Sequence, residues 1–150
     1  MLLLLLGIGG LPWLSEAATG RVLKVLPHFL DLQGRHTLSP SLYERDAYQV
    51  HLRDHPAEQS GIRYDVQWKI KGRPATALKL RLELRGVAKG GDLPEEFLLE
   101  QRVEPGGFFS RWSGLAVSGE DYKNFGQVTS WRVSLWEGDQ LLGEQKSFLW

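Results

Sequence analysis

The stretch that decides the fold runs from Ile62 to Lys71 and reads IRYDVQWKIK. Every second residue in it is apolar, and the residues between them carry charged or amide side chains. This alternation predicts a β-strand with one buried and one solvated face. The segment Leu78–Arg85, LKLRLELR, repeats the pattern after the turn residues Gly72-Arg73-Pro74. We therefore expect these two segments to pair as antiparallel neighbours.

Five further segments have the apolar, β-branched or aromatic character of strands, and turn residues separate them. They are Arg21–Leu32, Phe97–Val103, Phe108–Val117, Trp131–Leu135 and Leu141–Trp150. The last two flank Glu137-Gly138-Asp139-Gln140, a hairpin signal, because glycine adopts positive φ without steric cost. About seven strands with regularly spaced turns predict an all-β fold, an antiparallel β-sandwich.

One segment departs from the β pattern and predicts a short accessory helix over Ser41–Asp54. Ser41 and Glu44 have the spacing of a capping box, and Pro56 follows the expected end. The apolar residues of this segment fall near one helical face, which we expect to pack on a sheet: Leu42, Tyr43, Ala47, Val50 and His51. A second, single helical turn is expected at Ser118–Phe125.

The layout from Arg21 to Trp150 resembles the immunoglobulin-like and fibronectin-III-like sandwiches of exported bacterial proteins. The resemblance rests on the strand alternation, on the inward Trp68 and on the closing hairpin. The chain differs from immunoglobulin domains in having no cysteine pair and in carrying the Ser41–Asp54 helix. The stretch Leu42-Tyr43-Glu44-Arg45-Asp46 is also similar to one in uncharacterised exported bacterial proteins, a resemblance that implies no activity.

The first 17 residues predict a signal peptide, which leaves residues 18–150 as a single sandwich domain. The apolar run Leu2–Leu14 is too short to cross a bilayer, and small residues at Ser15 and Ala17 suit cleavage after Ala17. An uncleaved interfacial anchor is the alternative. Because the chain has no cysteine, it must be stable without disulfides, which favours a bacterial periplasm or cell exterior. We expect no membrane association after leader removal.

Charge and motif content argue against several classes of function. The chain has 18 basic and 18 acidic residues, a balance that does not predict a nucleic-acid partner. His51 and His55 have the i, i+4 spacing of a helical metal site, but the glutamate of a zincin motif is missing. A third ligand would have to be His28, His36, Asp46 or Glu58. Histidines at a helix end also complement the helix dipole, so we do not predict a metal site here. No cofactor is predicted either.

Acidic residues form three groups, and a glycosidase needs two carboxylates about 5–10 Å apart. The groups are Glu95-Glu96, Glu120-Asp121 and Glu137-Asp139. All fall in predicted turns, where acidic residues are common for backbone reasons. No nucleophile elbow or phosphate loop accompanies them. The sequence therefore predicts a protein that is not an enzyme.

The aromatic residues supply the candidate binding site. Trp68 and Trp131 alternate in phase with aliphatic neighbours and are expected in the core. Trp136 is out of phase with that set and is expected on the outer face, together with Trp112 and Phe108, beside Tyr122. The competing interpretation is that the helix covers this face. Arg111 and Arg132 are placed in sequence to form cation–π contacts with neighbouring rings.

Together these observations predict a non-enzymatic exported binding or accessory domain that acts through contacts with a protein partner. The alternative is a carbohydrate-binding module that stacks glycan rings on its outward aromatics. A metal-dependent hydrolase built on His51 and His55 is a third and weaker hypothesis.

Overall fold

The computed structural model describes residues 17–87 and 94–150, apart from the side chains of Pro94 and Glu95. The predicted leader, residues 1–17, lies outside this range except for its last residue. The described part forms seven strands and two helices. The strands are β1 (Thr19–Asp31), β2 (Gln59–Lys71), β3 (Leu78–Val87), β4 (Pro94–Val103), β5 (Arg111–Ser118), β6 (Gln127–Glu137) and β7 (Gln140–Lys146). The helices are α1 (Leu42–Asp54) and α2 (Gly119–Phe125), and a 3-10 turn covers Pro56–Glu58.

The strands form two antiparallel sheets, one in the order β1-β2-β5 and the other in the order β4-β3-β6-β7. The predicted all-β sandwich is therefore confirmed. The predicted pairing of β2 with β3 is wrong, because the two strands lie in different sheets. Residues 72–77 are long enough to carry the chain across the core instead of turning back within one sheet. In constant-type immunoglobulin domains the fourth strand pairs with the fifth, whereas here β4 pairs with β3.

The core lies between the sheets and consists of the alternating apolar residues of the central strands. Trp68 on β2 is 1% exposed, and its Nε1 donates to Ser113 Oγ on β5 at 3.0 Å. Trp131 on β6 packs against this core, and its ring meets Tyr64 edge-on across the two sheets at 6.0 Å. Both tryptophans thus lie where their strand phase predicts. Burying an indole N–H with a hydroxyl partner avoids the cost of an unpaired donor.

The two sheets close against each other along only part of one side. Gly20 on β1 and Gly143 on β7 touch there, since a Cβ on Gly143 would lie 2.8 Å from the Gly20 carbonyl oxygen. Pairing between β6 and β7 starts at Arg132 and Lys146, so residues 127–131 of β6 extend beyond β7. Beyond that point no strand of the described residues lies between β1 and β6, and an open cleft remains.

Helix α1 begins as predicted, with Ser41 Oγ accepting from the Glu44 N–H, but it packs with a different face. Leu42, Tyr43 and Val50 are exposed, and Leu52 is the buried residue of the helix. The helix lies against β1. The expected apolar face and the expected cover for Trp136 are therefore both wrong, because polar side chains on another face hold α1 to the edge of β1. In the described part of the chain, neither helix has the length and apolarity needed to span a bilayer.

Candidate functional site

The predicted aromatic site is divided between opposite faces of the sandwich. Trp112 lies on β5 opposite Gln67, on the outer face of the three-stranded sheet. Trp136 lies on β6 opposite Lys79, on the outer face of the four-stranded sheet. The phase argument for Trp136 holds, since its strand neighbours Val133 and Leu135 are fully buried. However, the fold does not bring these two rings into one surface.

Trp136 is half-buried by its own sheet. The Arg81 guanidinium lies 4.6 Å from the centre of the indole, and the indole Nε1 donates to Ser134 Oγ at 2.7 Å. Farther along the same face, Trp150 receives Arg85 at 3.8 Å and Arg132 at 4.9 Å. Stacking of this kind is a stabilising contact that needs no ligand.

The cation–π contacts form with partners other than those predicted. Arg132 faces away from Trp131, because neighbouring residues of a strand point to opposite faces, and it forms two 2.8 Å hydrogen bonds with Glu83. No cation–π contact of Arg111 is found within residues 17–87 and 94–150. The outer face of the four-stranded sheet is thus occupied by contacts among its own side chains.

Phe108 lies in a turn and not on a strand as predicted, because β5 begins only at Arg111. The turn contains Gly107 with φ of 67°, a conformation that glycine adopts readily. Phe108 and its neighbour Phe109 are 90% and 81% exposed, and Trp112 on the adjoining strand is 52% exposed. Three exposed rings thus lie within five residues, in the turn and at the start of β5.

Strand β5 itself is an edge with little to protect it. It pairs only with β2, so its other side has no strand partner in the part of the chain that the structure describes. From Trp112 to Val117 it reads WSGLAV and carries no charge. Natural sheet edges are usually blunted by lysine, proline, a bulge or a covering element. Such an uncharged edge is suited to pairing with another strand.

The other three edges are protected in recognisable ways. β4 carries charged residues at Glu96, Glu100 and Arg102, and Glu100 pairs with Arg81 at 2.8 Å. β1 contains Pro27 and is held by α1 on one half and by β7 on the other, where Gln145 Nε2 donates to the Leu23 carbonyl at 3.0 Å. The same contact with β1 covers the edge of β7. β5 differs from all three.

Tyr122 lies away from the exposed rings. It is on α2, half-buried against the core, and its hydroxyl donates to Gln59 Oε1 at 2.5 Å. Burial raises the pKa of this phenol above its ordinary value, so the hydroxyl stays a neutral donor. Tyr122 lines the open cleft between β1 and β6. The sequence placed it beside the aromatic surface, whereas the fold assigns it to a separate cavity.

His51 and His55 stack on each other at 4.1 Å, at the end of α1. His51 Nε2 bonds Glu58 Oε2 at 2.6 Å, and His55 Nδ1 bonds the His51 carbonyl at 2.8 Å. Among the residues described, no group of three or more potential ligands is arranged to hold a metal ion. The helix-end interpretation of these histidines accounts for the contacts seen.

His28 and His36, two of the candidate third ligands, belong to a different cluster on the outer face of the three-stranded sheet. His28 Nδ1 bonds Asp65 Oδ2 at 3.0 Å, and Arg63 bridges Asp65 and His36 Nδ1, each at 3.0 Å. Burial, and then the nearby Arg63 charge, lower the pKa of His36. Because His36 accepts from a guanidinium, its neutral form holds the β1–α1 connection to the sheet. Sequence spacing gave no signal for this cluster.

The acidic groups lie on different elements of the fold. Glu137 Oε1 accepts the backbone N–H of Ala75 at 2.5 Å and so fixes the connection between the two sheets. Glu120 pairs with Lys123 at 3.2 Å within α2. Glu96 is exposed on β4, and the Glu95 side chain lies outside the described residues. The prediction that all three groups fall in turns is wrong, because Glu96 lies on β4, Glu120 on α2 and Glu137 at the end of β6.

Comparison of the chain with protein-family models, with curated proteins and with solved structures finds no match.

Proposed function

We propose that this chain is an exported, non-enzymatic binding domain that acts through protein contacts, and that an extended segment of a partner protein pairs with the outer edge of β5. The observation that carries this proposal is the edge from Trp112 to Val117, which is uncharged and has no strand partner among the described residues. Strand addition at a sheet edge obtains affinity from main-chain hydrogen bonds and specificity from alternate side chains.

The side chains around this edge support a protein partner. Trp112 lies on the outer face of β5, and Phe108 and Phe109 are exposed just before it. Aromatic rings of this kind are enriched at the centres of protein interfaces. The inward Ser113 hydroxyl is already engaged by Trp68. The β5 edge therefore offers backbone groups and apolar area, which suit binding better than acid, base or nucleophilic chemistry.

Export is part of the same proposal. The apolar run and small residues before Thr19 support a leader cleaved after Ala17, and cleavage there would leave β1, which starts at Thr19, intact. An exported domain with no cysteine depends on its core for stability, and the two sheets share one continuous apolar core. A bacterial periplasm or cell exterior is the compartment that we propose.

A peptide selection tests the proposed strand pairing. The mature chain is panned against displayed linear peptides, and a selected peptide is then measured by calorimetry and by hydrogen exchange. We expect new protection of every second amide in residues 112–117, because the amides between them already face β2. Only every second amide of the peptide faces β5. N-methylation of that set of amides is expected to abolish binding, and N-methylation of the other set is expected to leave binding unchanged.

Two matched variants locate the contact. Ala116→Lys places a charge on the exposed face of β5 and is expected to weaken peptide binding. Leu98→Lys makes the corresponding change on β4 and, as the control, is expected to leave peptide binding unchanged. Trp112→Ala is expected to weaken the peptide about tenfold or more, since burial of a large ring contributes about 1.5–3 kcal/mol. Protection confined to β4 or to the C-terminal residues would overturn the assignment to β5.

The carbohydrate alternative rests on the exposed rings of Phe108, Phe109 and Trp112. A polysaccharide array distinguishes the two functions. Glycan binding that is lost in Trp112→Ala, with no peptide selected at β5, would replace the protein partner with a sugar. If the purified chain itself associates through β5, Ala116→Lys makes it monomeric in sedimentation, and the partner is a second copy.

A further inference from the structure

The cleft between β1 and β6 has the size and lining of a ligand site. Its volume is about 930 Å³, within the range of roughly 300–1,000 Å³ that small-molecule sites occupy. A recess of about 220 Å³ adjoins it under α1 and shares Pro27, Phe29, Arg53 and Ile62 with it. The cleft leads from the surface to the core side chains of both sheets.

The inner wall of the cleft is apolar. It is formed by side chains that also pack against the core: Phe29, Ile62, Tyr64, Tyr122, Val128 and Trp131. Water held against such a surface gains little hydrogen bonding, so filling the cleft with hydrocarbon is favourable. A peptide has backbone amides that these apolar side chains cannot bond, at a cost for each one left unpaired. An acyl chain has no such groups.

The mouth of the cleft is cationic. Arg53 from α1 and Lys123 from α2 line it, and no carboxylate is among the lining residues that the structure describes. The two side chains are 63% and 65% exposed, so their charges lie at the rim and not in the interior. Each pairs with a solvent-exposed acid on its own helix, Asp54 at 3.6 Å and Glu120 at 3.2 Å. Such exposed pairs are weak and leave the cations available to an anionic group.

We infer that this cleft binds a long-chain fatty acid, with the acyl chain between the sheets and the carboxylate at the rim near Arg53 and Lys123. The site is separate from the β5 edge, because β1 and β5 lie on opposite sides of β2. The Tyr122 hydroxyl and Gln59 supply polar atoms at the same cleft. Fatty-acid binding can therefore be tested independently of the protein contact proposed above.

Displacement of a dansyl-labelled undecanoic acid by unlabelled hexadecanoic acid measures this binding on the mature chain. Hexadecan-1-ol and hexadecyltrimethylammonium have the same chain with a neutral and a cationic head. We expect the acid to compete best and the ammonium worst. Equal competition by the acid and the alcohol would overturn the role of the rim cations.

The double variant Arg53→Gln/Lys123→Gln is expected to weaken the acid about tenfold, the effect of losing two exposed charge contacts, while the alcohol is unaffected. Lys69→Gln/Arg73→Gln removes the same charge from the three-stranded sheet and its turn and is the matched control. Trp112→Ala is expected to leave acid binding unchanged, which separates this site from β5.

The position of the chain is read from methyl resonances. In the wild-type protein, hexadecanoic acid is expected to shift the methyl signals of Ile62, Val87 and Val128, which line the cleft. Val128→Trp fills the cleft and is expected to abolish binding, with circular dichroism reporting whether the variant folds. No displacement by the acid, or methyl shifts only at exposed residues such as Leu98 and Leu149, would overturn the inference.

Discussion

Gln49 on α1 satisfies both backbone groups of Phe29 on β1. Its Oε1 accepts the Phe29 N–H at 2.7 Å, and its Nε2 donates to the Phe29 carbonyl at 3.0 Å. The same Nε2 also donates to the His36 carbonyl at 2.8 Å. One amide side chain thus takes the place of a neighbouring strand at this edge and fixes the helix to it.

Gln49→Ala is expected to lower the free energy of unfolding by about 1–3 kcal/mol, because it leaves the part-buried N–H and carbonyl of Phe29 without partners. Tyr43→Ala on the same helix is the control, since the ring is 83% exposed. Urea unfolding followed by circular dichroism gives both values. Equal stability of the two variants would show that the Gln49 bonds contribute nothing.

Trp136→Ala is expected to lower the free energy of unfolding by about 1–3 kcal/mol, through loss of partial burial and of the Arg81 stack. Trp112→Ala is expected to change it by less than about 0.5 kcal/mol, as for an ordinary surface position. The same urea measurement applies to both. If Trp136→Ala left the free energy of unfolding unchanged, Trp136 would again be a candidate binding residue. If Trp112→Ala lowered it by more than about 1 kcal/mol, Trp112 would no longer be one.

Stability is expected to fall in acid through Asp31. Burial disfavours the charged carboxylate, but hydrogen bonds from the Arg35 N–H, the Tyr48 hydroxyl, the Arg35 guanidinium and the Gln33 N–H outweigh it and lower the pKa to about 2. The unfolded chain has the ordinary value of 3.8. The stabilisation is therefore fully present above about pH 4 and is lost as the pH falls through about 2.

Urea midpoints measured between pH 5 and pH 2 test this dependence. Asp31→Asn is expected to cost about 1–3 kcal/mol at neutral pH, and this cost is expected to shrink as the wild type loses its carboxylate contacts. Asp139→Asn, in the turn between β6 and β7, is the control. A cost for Asp31→Asn that does not change with pH would contradict the assignment.

Gly143→Ala is expected to destabilise the fold by about 1–3 kcal/mol, the usual effect of overpacking. The added Cβ would lie 2.8 Å from the Gly20 carbonyl oxygen, and the backbone cannot move aside as a side chain can. Gly114→Ala on β5 is the matched control, because its Cβ would meet the flexible Arg63 side chain at 3.3 Å. Similar melting temperatures for both variants would contradict the close approach of β1 and β7.

The strands and their phases were predictable because alternation is a local property of the chain. It placed Trp68 and Trp131 in the core and Trp136 outside. Which strands pair is not local, and the crossing of residues 72–77 between the sheets left no mark in the pattern. The apolar residues of α1 predict the wrong packing face, because hydrogen bonds from Gln49 and Tyr48 attach the helix to β1.

The candidate sites were harder to predict than the strands. The apolar residue Phe108 directly follows the turn residue Gly107 and so predicts a strand start, whereas the turn continues and β5 begins only at Arg111. The cleft depends on where β7 ends along β6, a matter of register that no single segment encodes. Tyr122 is predicted beside the aromatic surface but lies in that cleft and not beside Trp112.

The outer face of β5 presents one large side chain followed by two of minimal size, Trp112, Gly114 and Ala116. Residues directly opposite each other on paired strands have Cβ atoms about 4.5–5.5 Å apart. An incoming strand must therefore place a small residue against the indole, whereas bulky residues fit over the glycine and the alanine. A slip of one residue would turn every side chain to the wrong face. In the strand pairing that we propose, the order of side-chain sizes along β5 selects among partner sequences, and Trp112 sets the position of the small residue.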